Sequence, residues 1–144
     1  MQKPLPGSGL RPGIAAELKA LGPGLAAGRV LAQNRGYWLV AVAEGEGWAP
    51  RLLTARGRLR GTTPVTGDWV AVDSAGEIAA VLERCCLLER RAAGDEVAAQ
   101  ALAANVDLVL VVEALPEPNE RRAERFAALA AASEIPVALV LTKA

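Results

Sequence analysis

From Gly28 onward the chain alternates short apolar stretches with glycine-containing turns. "GRVLAQN" and "GYWLVAV" flank the turn signal Asn34-Arg35-Gly36. "RLLTARGRLRG" follows, then a loop "TTPVTG", "DWVAVD", a Ser74-Ala75-Gly76 turn and "EIAAVLER". These are five strand candidates between residues 28 and 83, joined by residues that favour turns. Five strands in so short a span predict a small closed β-barrel of the OB type, assigned to residues 28–87. The pattern differs on either side. Residues 1–27 form a Pro/Gly-rich tail with a short helix over Ile14 to Leu21, ended by Gly22-Pro23. Residues 88–103, "LERRAAGDEVAAQALA", read as a linker in which Asp95 caps a short helix running to Ala103. Then "DLVLVV" is an apolar, β-branched strand, and "PNERRAERFAALAAASE" places Ala123, Phe126, Ala127 and Ala130 at helical spacing. "PVALVL" closes the series. Strand, amphipathic helix and strand predict a βαβ unit with a parallel pair, so residues 104–144 begin an α/β domain.

Composition adjusts this picture in two ways. Hydrophobic residues make up 52% of the 144 residues but aromatics only 3%, so the core must rest on Ala, Val and Leu. The overall charge is balanced, 16 Lys+Arg against 16 Asp+Glu, but its distribution is not. Residues 1–87 carry ten basic and seven acidic side chains, and residues 88–144 carry six and nine. The basic excess lies with the predicted barrel. The adjacent Cys85 and Cys86 cannot form an unstrained disulfide, and two donors do not make a zinc site, so they read as reduced structural thiols. No segment reaches the roughly 18–20 apolar residues that cross a bilayer. The start has no stretch that suits a signal peptide, so the expected setting is the cytoplasm.

Two stretches could carry chemistry. Thr142-Lys143 follows the apolar run Val137 to Leu141, and polar residues at the carboxyl end of a parallel strand commonly meet a ligand. Guanine-nucleotide-binding proteins read their base with an Asn/Thr-Lys-x-Asp motif at such a place. The lysine stem covers the purine, the hydroxyl or amide pins the loop, and the aspartate accepts from guanine N–H groups that adenine lacks. That aspartate would be residue 145. The bland alternative is a strand end with a solvated lysine. The second stretch is Arg51, Arg56, Arg58 and Arg60, four guanidinium groups in ten residues without an acid, joined by Arg35 in the first turn. Arg56, Arg58 and Arg60 alternate, so they are expected to project from the same face of one strand and to track a phosphate backbone. Trp38, Trp48 and Trp69 are candidates for base stacking or for the core. There is no histidine, no Ser-His-Asp set, no metal-ligand cluster and no GxxxxGK[ST] phosphate loop,. Asp68 and Asp107 have no carboxylate neighbour in sequence for acid–base work. No catalytic residue is assigned.

In order, three of these segments resemble the N-terminal part of the RsgA (YjeQ) family. "ARGRLRGTTPVTGDWVAV" (Ala55 to Val72) is similar to the family's RGxxR…VGDxV signature. "QALAANVDLVLVV" (Gln100 to Val112) resembles its AANVD segment, and "NERRAERFAALAAASEIPVALVLTKA" (Asn119 to Ala144) its crossover helix and guanine-specificity strand. "RCCLLERR" departs from the family in its cysteines. The resemblance implies an OB-fold first, then a circularly permuted GTPase domain whose guanine loop precedes its phosphate loop, then a zinc-binding domain. It implies GTP with magnesium as ligand and cofactor. It also implies a part in maturation of the small (30S) ribosomal subunit, with the barrel contacting rRNA; Arg35, Arg51, Arg56, Arg58 and Arg60 are the residues expected to make that contact, and the expected state is a monomer. Thr142 and Lys143 become the nucleotide-binding pair. The 144 residues alone, without a phosphate loop, are expected neither to hydrolyse nor to hold GTP. The alternatives are a stand-alone OB-fold RNA-binding protein and a plain interaction domain. A further expectation is exposed apolar surface on Val109, Val111, Val137 and Leu139, because two strands are only part of a sheet.

Overall fold

The computed structural model describes residues 12–57, 59, 61–91 and 99–143. The chain divides between Arg84 and Cys85 into two units. The tail before residue 12, Arg58, Arg60, Asp95 and Ala144 lie outside the described residues.

In the first unit, helix α1 (Pro12–Leu21) begins with a proline, which suits a first helical position, and ends before Gly22 at φ 128°,. Five strands follow: β1 (Ala26–Asn34), β2 (Tyr37–Glu44), β3 (Gly47–Leu53), β4 (Trp69–Val72) and β5 (Ile78–Val81). All neighbours are antiparallel, in the order β3-β2-β1-β4-β5. The turn Arg35-Gly36 needs its glycine, which sits at φ 86°,. Strand β4, "WVAV", is buried on both faces. Val70 and Val72 join Val30, Trp38, Val40, Val42, Leu53 and Ile78 in one core, whereas Trp69 and Ala71 pack with Ile14 of α1 and Leu82. Helix α1 thus covers the second face of a strand that would otherwise show polar alternation. Gly28, opposite Val42 and Val70, lets β1 lie close to this core. A Cβ there would stand 2.7 Å from a Val40 methyl.

Two expectations are corrected here. The five-stranded sheet is open, not a closed barrel. Its edges β3 and β5 approach at one isolated parallel bridge, Ala55 to Ile78, where Ile78 N–H donates to Thr54 and Arg56 N–H donates to Ile78. β5 has only four residues, which leaves little edge to zip further. The strand expected from Arg51 to Arg60 ends at Leu53. Gly57 takes φ 56°, a left-handed conformation that breaks strand alternation, so Arg56 does not belong to a continuous ladder with the residues after it,.

The second unit starts with a hairpin rather than a linker. Strand β6 (Leu87–Arg91) pairs antiparallel with β7 (Ala99–Ala104), so the helix expected to run to Ala103 is replaced by a strand. Asn105 follows at φ 55° and is buried. Its amide N–H donates to the Cys86 carbonyl, and its Oδ1 accepts from Cys85 N–H, both at 3.0 Å. That double clasp gives the asparagine of "AANVD" a physical reason: Asn tolerates the left-handed region and its side chain mimics a turn. Then come β8 (Val109–Ala114), α2 (Glu120–Ala132) and β9 (Val137–Thr142), with β8 and β9 parallel and in register from Val109↔Val137 to Ala114↔Thr142. This is the expected βαβ unit. Asn119 caps α2 by accepting from Arg122 N–H at 3.0 Å,. The exposed apolar surface is distributed otherwise than expected. Val137 and Leu139 are exposed, but Val111 is buried and Val109 half-buried. Leu110, Val112 and Leu141 are exposed instead. Helix α2 packs on β8, β6 and β9, which shields the Val111 side of β8.

Candidate functional site

The parallel register brings Thr142 level with Ala114 at the carboxyl ends of β9 and β8. The Thr142 hydroxyl donates to the Glu113 carbonyl at 3.3 Å, and Leu115 N–H donates to the Thr142 carbonyl at 2.9 Å. Threonine is therefore held by main chain on both sides. Lys143 follows, exposed and at φ 60°. A left-handed residue directly after a strand departs from strand geometry, so Lys143 breaks from β9 at the carboxyl edge of the sheet.

Under this edge sits a group that the sequence pattern does not single out. The Glu113 carboxylate is buried, and both its oxygens are taken. Arg122 Nε donates to Oε1 at 2.7 Å, its terminal nitrogen donates to Oε2 at 2.8 Å, and Asn119 N–H donates to Oε2 at 3.2 Å. The Arg122 hydrogen bond holds the Glu113 carboxyl below the usual carboxylate range against the opposing pull of burial, with help from Asn119. The same bond raises the Arg122 guanidinium above its ordinary value. A bidentate pair of this kind fixes the last turn of β8 to the first turn of α2. Residue 113 thus has two roles: its carboxylate ties helix to strand, and its carbonyl holds Thr142. The available signal was a carboxylate inside an apolar strand followed by Asn-Glu-Arg-Arg at a helix start.

In the first unit the arginines do not form a bare stripe. Arg51 pairs with Glu44 across β3 and β2 at 2.8 Å, and Arg56 approaches Asp73 at 3.4 Å. Both arginines and Arg35 are exposed. Arg58 and Arg60 lie outside the described residues. A groove near Arg56 is lined by Trp38, Ala55, Gly57, Leu59, Thr62 and Pro64. Trp38 and Trp69 are core residues: Trp38 Nε1 donates to the Pro64 carbonyl at 2.8 Å, and Trp69 meets Trp48 edge to face at 5.7 Å. The Arg29 guanidinium lies 5.0 Å from the Trp69 ring centre. Asp68, which lacked an acidic neighbour in sequence, is wholly buried and gripped by Arg84. It serves structure rather than proton transfer.

Known proteins resemble this chain in sequence and in fold. The family model described as RsgA GTPase matches residues 81–144. The small ribosomal subunit biogenesis GTPase RsgA of Opitutus terrae is 38% identical over 135 residues, covering 80% of this chain and 36% of the relative. Its counterpart in Leptospira interrogans is 34% identical over 141 residues, 94% of this chain and 39% of the relative. The chain belongs to the RsgA GTPase family. It spans somewhat more than a third of the length of these RsgA relatives. Among solved structures, YjeQ from Thermotoga maritima superposes with a TM-score of 0.56 at 27% identity, over 83% of this chain and 41% of that one. YloQ, described as a circularly permuted GTPase, gives 0.58 at 22% identity with the same coverage, a likeness of fold. In an RsgA chain, the Thr142-Lys143 edge and the "AANVD" clasp fall in the stretch that the family model matches.

Proposed function

We propose that this chain supplies the guanine-reading edge and the RNA-contacting domain of a GTPase. The hydrolysis it serves is coupled to maturation of the small (30S) ribosomal subunit. The observation that carries the reading is Thr142, pinned between Glu113 and Leu115 at the carboxyl end of a parallel pair, with the exposed Lys143 directly after it. In this reading Thr142 steadies the loop and the Lys143 stem covers the guanine face. GTP with magnesium is the ligand of the whole protein, and zinc belongs to a further domain. Among the described residues no group of three His, Cys, Asp or Glu side chains could hold a metal ion, and the proposal gives these residues no part in binding one. The first unit acts as an OB-fold that meets rRNA through Arg35, Arg51, Arg56, Arg58 and Arg60. The protein works as a cytoplasmic monomer. No helix among the described residues is long and apolar enough to cross a membrane.

The test is binding to purified small subunits across a salt series, for the chain and for a variant with Arg56, Arg58 and Arg60 replaced by Ala. Weaker binding, with a salt slope reduced by about one unit for each phosphate the variant no longer neutralises, supports the RNA role. Unchanged affinity and slope remove these arginines from it. A labelled GTP analogue tests the other half. A GTPase holds nucleotide mainly through backbone N–H groups and a lysine around the phosphates, and these 144 residues contain no GxxxxGK[ST],. The chain is expected to show no guanine-selective binding. Micromolar, guanine-selective binding would place the nucleotide site elsewhere in it.

A further inference from the structure

Successive residues of a strand point to opposite faces, which keeps neighbouring side chains apart. Cys85 and Cys86 precede the strand and are not bound by that alternation. They lie at the bend before β6, and their sulfurs are 3.8 Å apart. The arrangement is held from outside the pair. Asn105 clasps the Cys85 amide and the Cys86 carbonyl, and Val106 N–H donates to Cys86 Sγ at 3.1 Å. The Cys86 thiol in turn donates to the Val106 carbonyl at 3.2 Å. Cys86 is half-buried, whereas Cys85 is exposed and its thiol is open to reagents. The "AANVD" segment therefore fixes one sulfur, and the exposed Cys85 thiol donates to it.

Such a pair has few chemical uses. A disulfide needs its sulfurs at about 2.05 Å with a dihedral near 90°, which between neighbours distorts the planar peptide joining them. A structural zinc ion needs four donors, and only two are here. A soft centre that takes two sulfurs and brings its own third group fits both the count and the gap, because one bridging atom spans a separation that a direct bond cannot. We propose that Cys85 and Cys86 form a chelating site for a monosubstituted trivalent arsenical. The reaction is a condensation: an organoarsenic oxide, R–As=O, and two thiols give R–As(S–Cys)2 and one water. Two As–S bonds form, and the arsenic–oxygen bond breaks. Both thiol protons leave on that oxygen, and no atom changes oxidation state. The first As–S bond makes the second intramolecular, so the pair outcompetes a monothiol in solution by the effective concentration of its second sulfur.

Phenylarsine oxide is the probe, added to the folded 144-residue chain and followed by intact-mass measurement and thiol titration. The expected result is one phenylarsenic group per chain and loss of both titratable thiols. The adduct should survive excess 2-mercaptoethanol and be removed by dithiothreitol. Cys85→Ser should lower resistance to the monothiol on the order of 10²-fold, since a single sulfur gains no chelate advantage. Cys85 is exposed, so this variant should keep the wild-type circular dichroism; Cys86→Ser provides the matching arm. A wild-type adduct stripped by 2-mercaptoethanol as readily as that of Cys85→Ser would overturn the proposal. So would monothiol-resistant adducts in both single variants.

Discussion

The wholly buried Asp68 carboxylate meets the Arg84 guanidinium through two parallel hydrogen bonds, Nε to Oδ1 and a terminal nitrogen to Oδ2, each 2.7 Å long. Val65 N–H donates to the same carboxylate at 2.8 Å, and Arg84 also donates to the Thr63 carbonyl at 3.0 Å. One pair therefore fastens the loop before β4 to the residues after β5. Arg84→Ala leaves a buried charge without its partner and is expected to destabilise the first unit by about 3–5 kcal/mol. Urea unfolding followed by tryptophan fluorescence measures this, since all three tryptophans lie in that unit. Adding Asp68→Asn to Arg84→Ala should restore part of the loss by removing the charge. A single-variant cost below about 1 kcal/mol would show that water reaches Asp68.

Gly28→Ala should also destabilise the first unit. The new methyl would meet Val40, Val70 and Val72 methyls at 2.7, 3.0 and 3.1 Å, and all three valines are buried in the core. Overpacking of this kind costs typically about 1–3 kcal/mol. Adding Val40→Ala, which vacates the nearest contact, should recover part of that loss. A single variant as stable as the parent would mean that β1 can move away from the core without penalty.

Glu113 predicts an acid-sensitive second unit. Its folded carboxyl binds a proton more weakly than the ordinary unfolded one, whose pKa is about 4.3, so the unfolded chain takes up more protons in the interval between,. The contribution is complete above the ordinary range and is lost as pH falls through the lower folded value. Hydrogen exchange at the β8 and α2 amides between about pH 6 and pH 3 should reveal this loss. Glu113→Gln should show a flatter profile over the same window. Parallel profiles for the two proteins would assign the acid sensitivity to another group.

Asn105 offers a cleaner dissection of backbone and side chain. Asn105→Ala loses the Cys85 hydrogen bond and puts a Cβ-bearing residue without that compensation at φ 55°, whereas Asn105→Gly loses the bond without that backbone strain. Alanine should cost about 1–3 kcal/mol and glycine less, by roughly 0.5–1 kcal/mol, in thermal unfolding of the second unit. Equal costs would show that the left-handed backbone carries no strain here.

The βαβ unit was legible because its signals agree: an apolar β-branched run, a cap, helical spacing, then a second apolar run. Strand β7 was not. "AQALAA" is rich in alanine, a strong helix former, and its pairing with "LLERR" comes from a ladder that local preference does not encode,. The arginine segment misled in the opposite sense, since alternation continued past Leu53 while Gly57 ended the strand geometry. At the site, Thr142 was legible from its place after an apolar run. Glu113 was not, because its partner Arg122 lies nine residues on, across the start of the crossover, and a lone acid at a strand end reads as solvated.

Among the described residues strands β8 and β9 form a sheet of two, so each has an outer edge, and their faces expose Leu110, Val112, Leu139 and Leu141. Unpaired main-chain groups beside bare leucine are a template for further strands. The colloidal behaviour of the 144-residue chain follows from this. Attraction between apolar faces strengthens on warming near ambient temperature, and lyotropic salts such as sulfate reinforce it. Light scattering should therefore rise with protein concentration, with sulfate and with gentle heating well below the unfolding transition. Aspartate at Leu110 and Leu139, a charge on each strand, should keep the solution clear under all three.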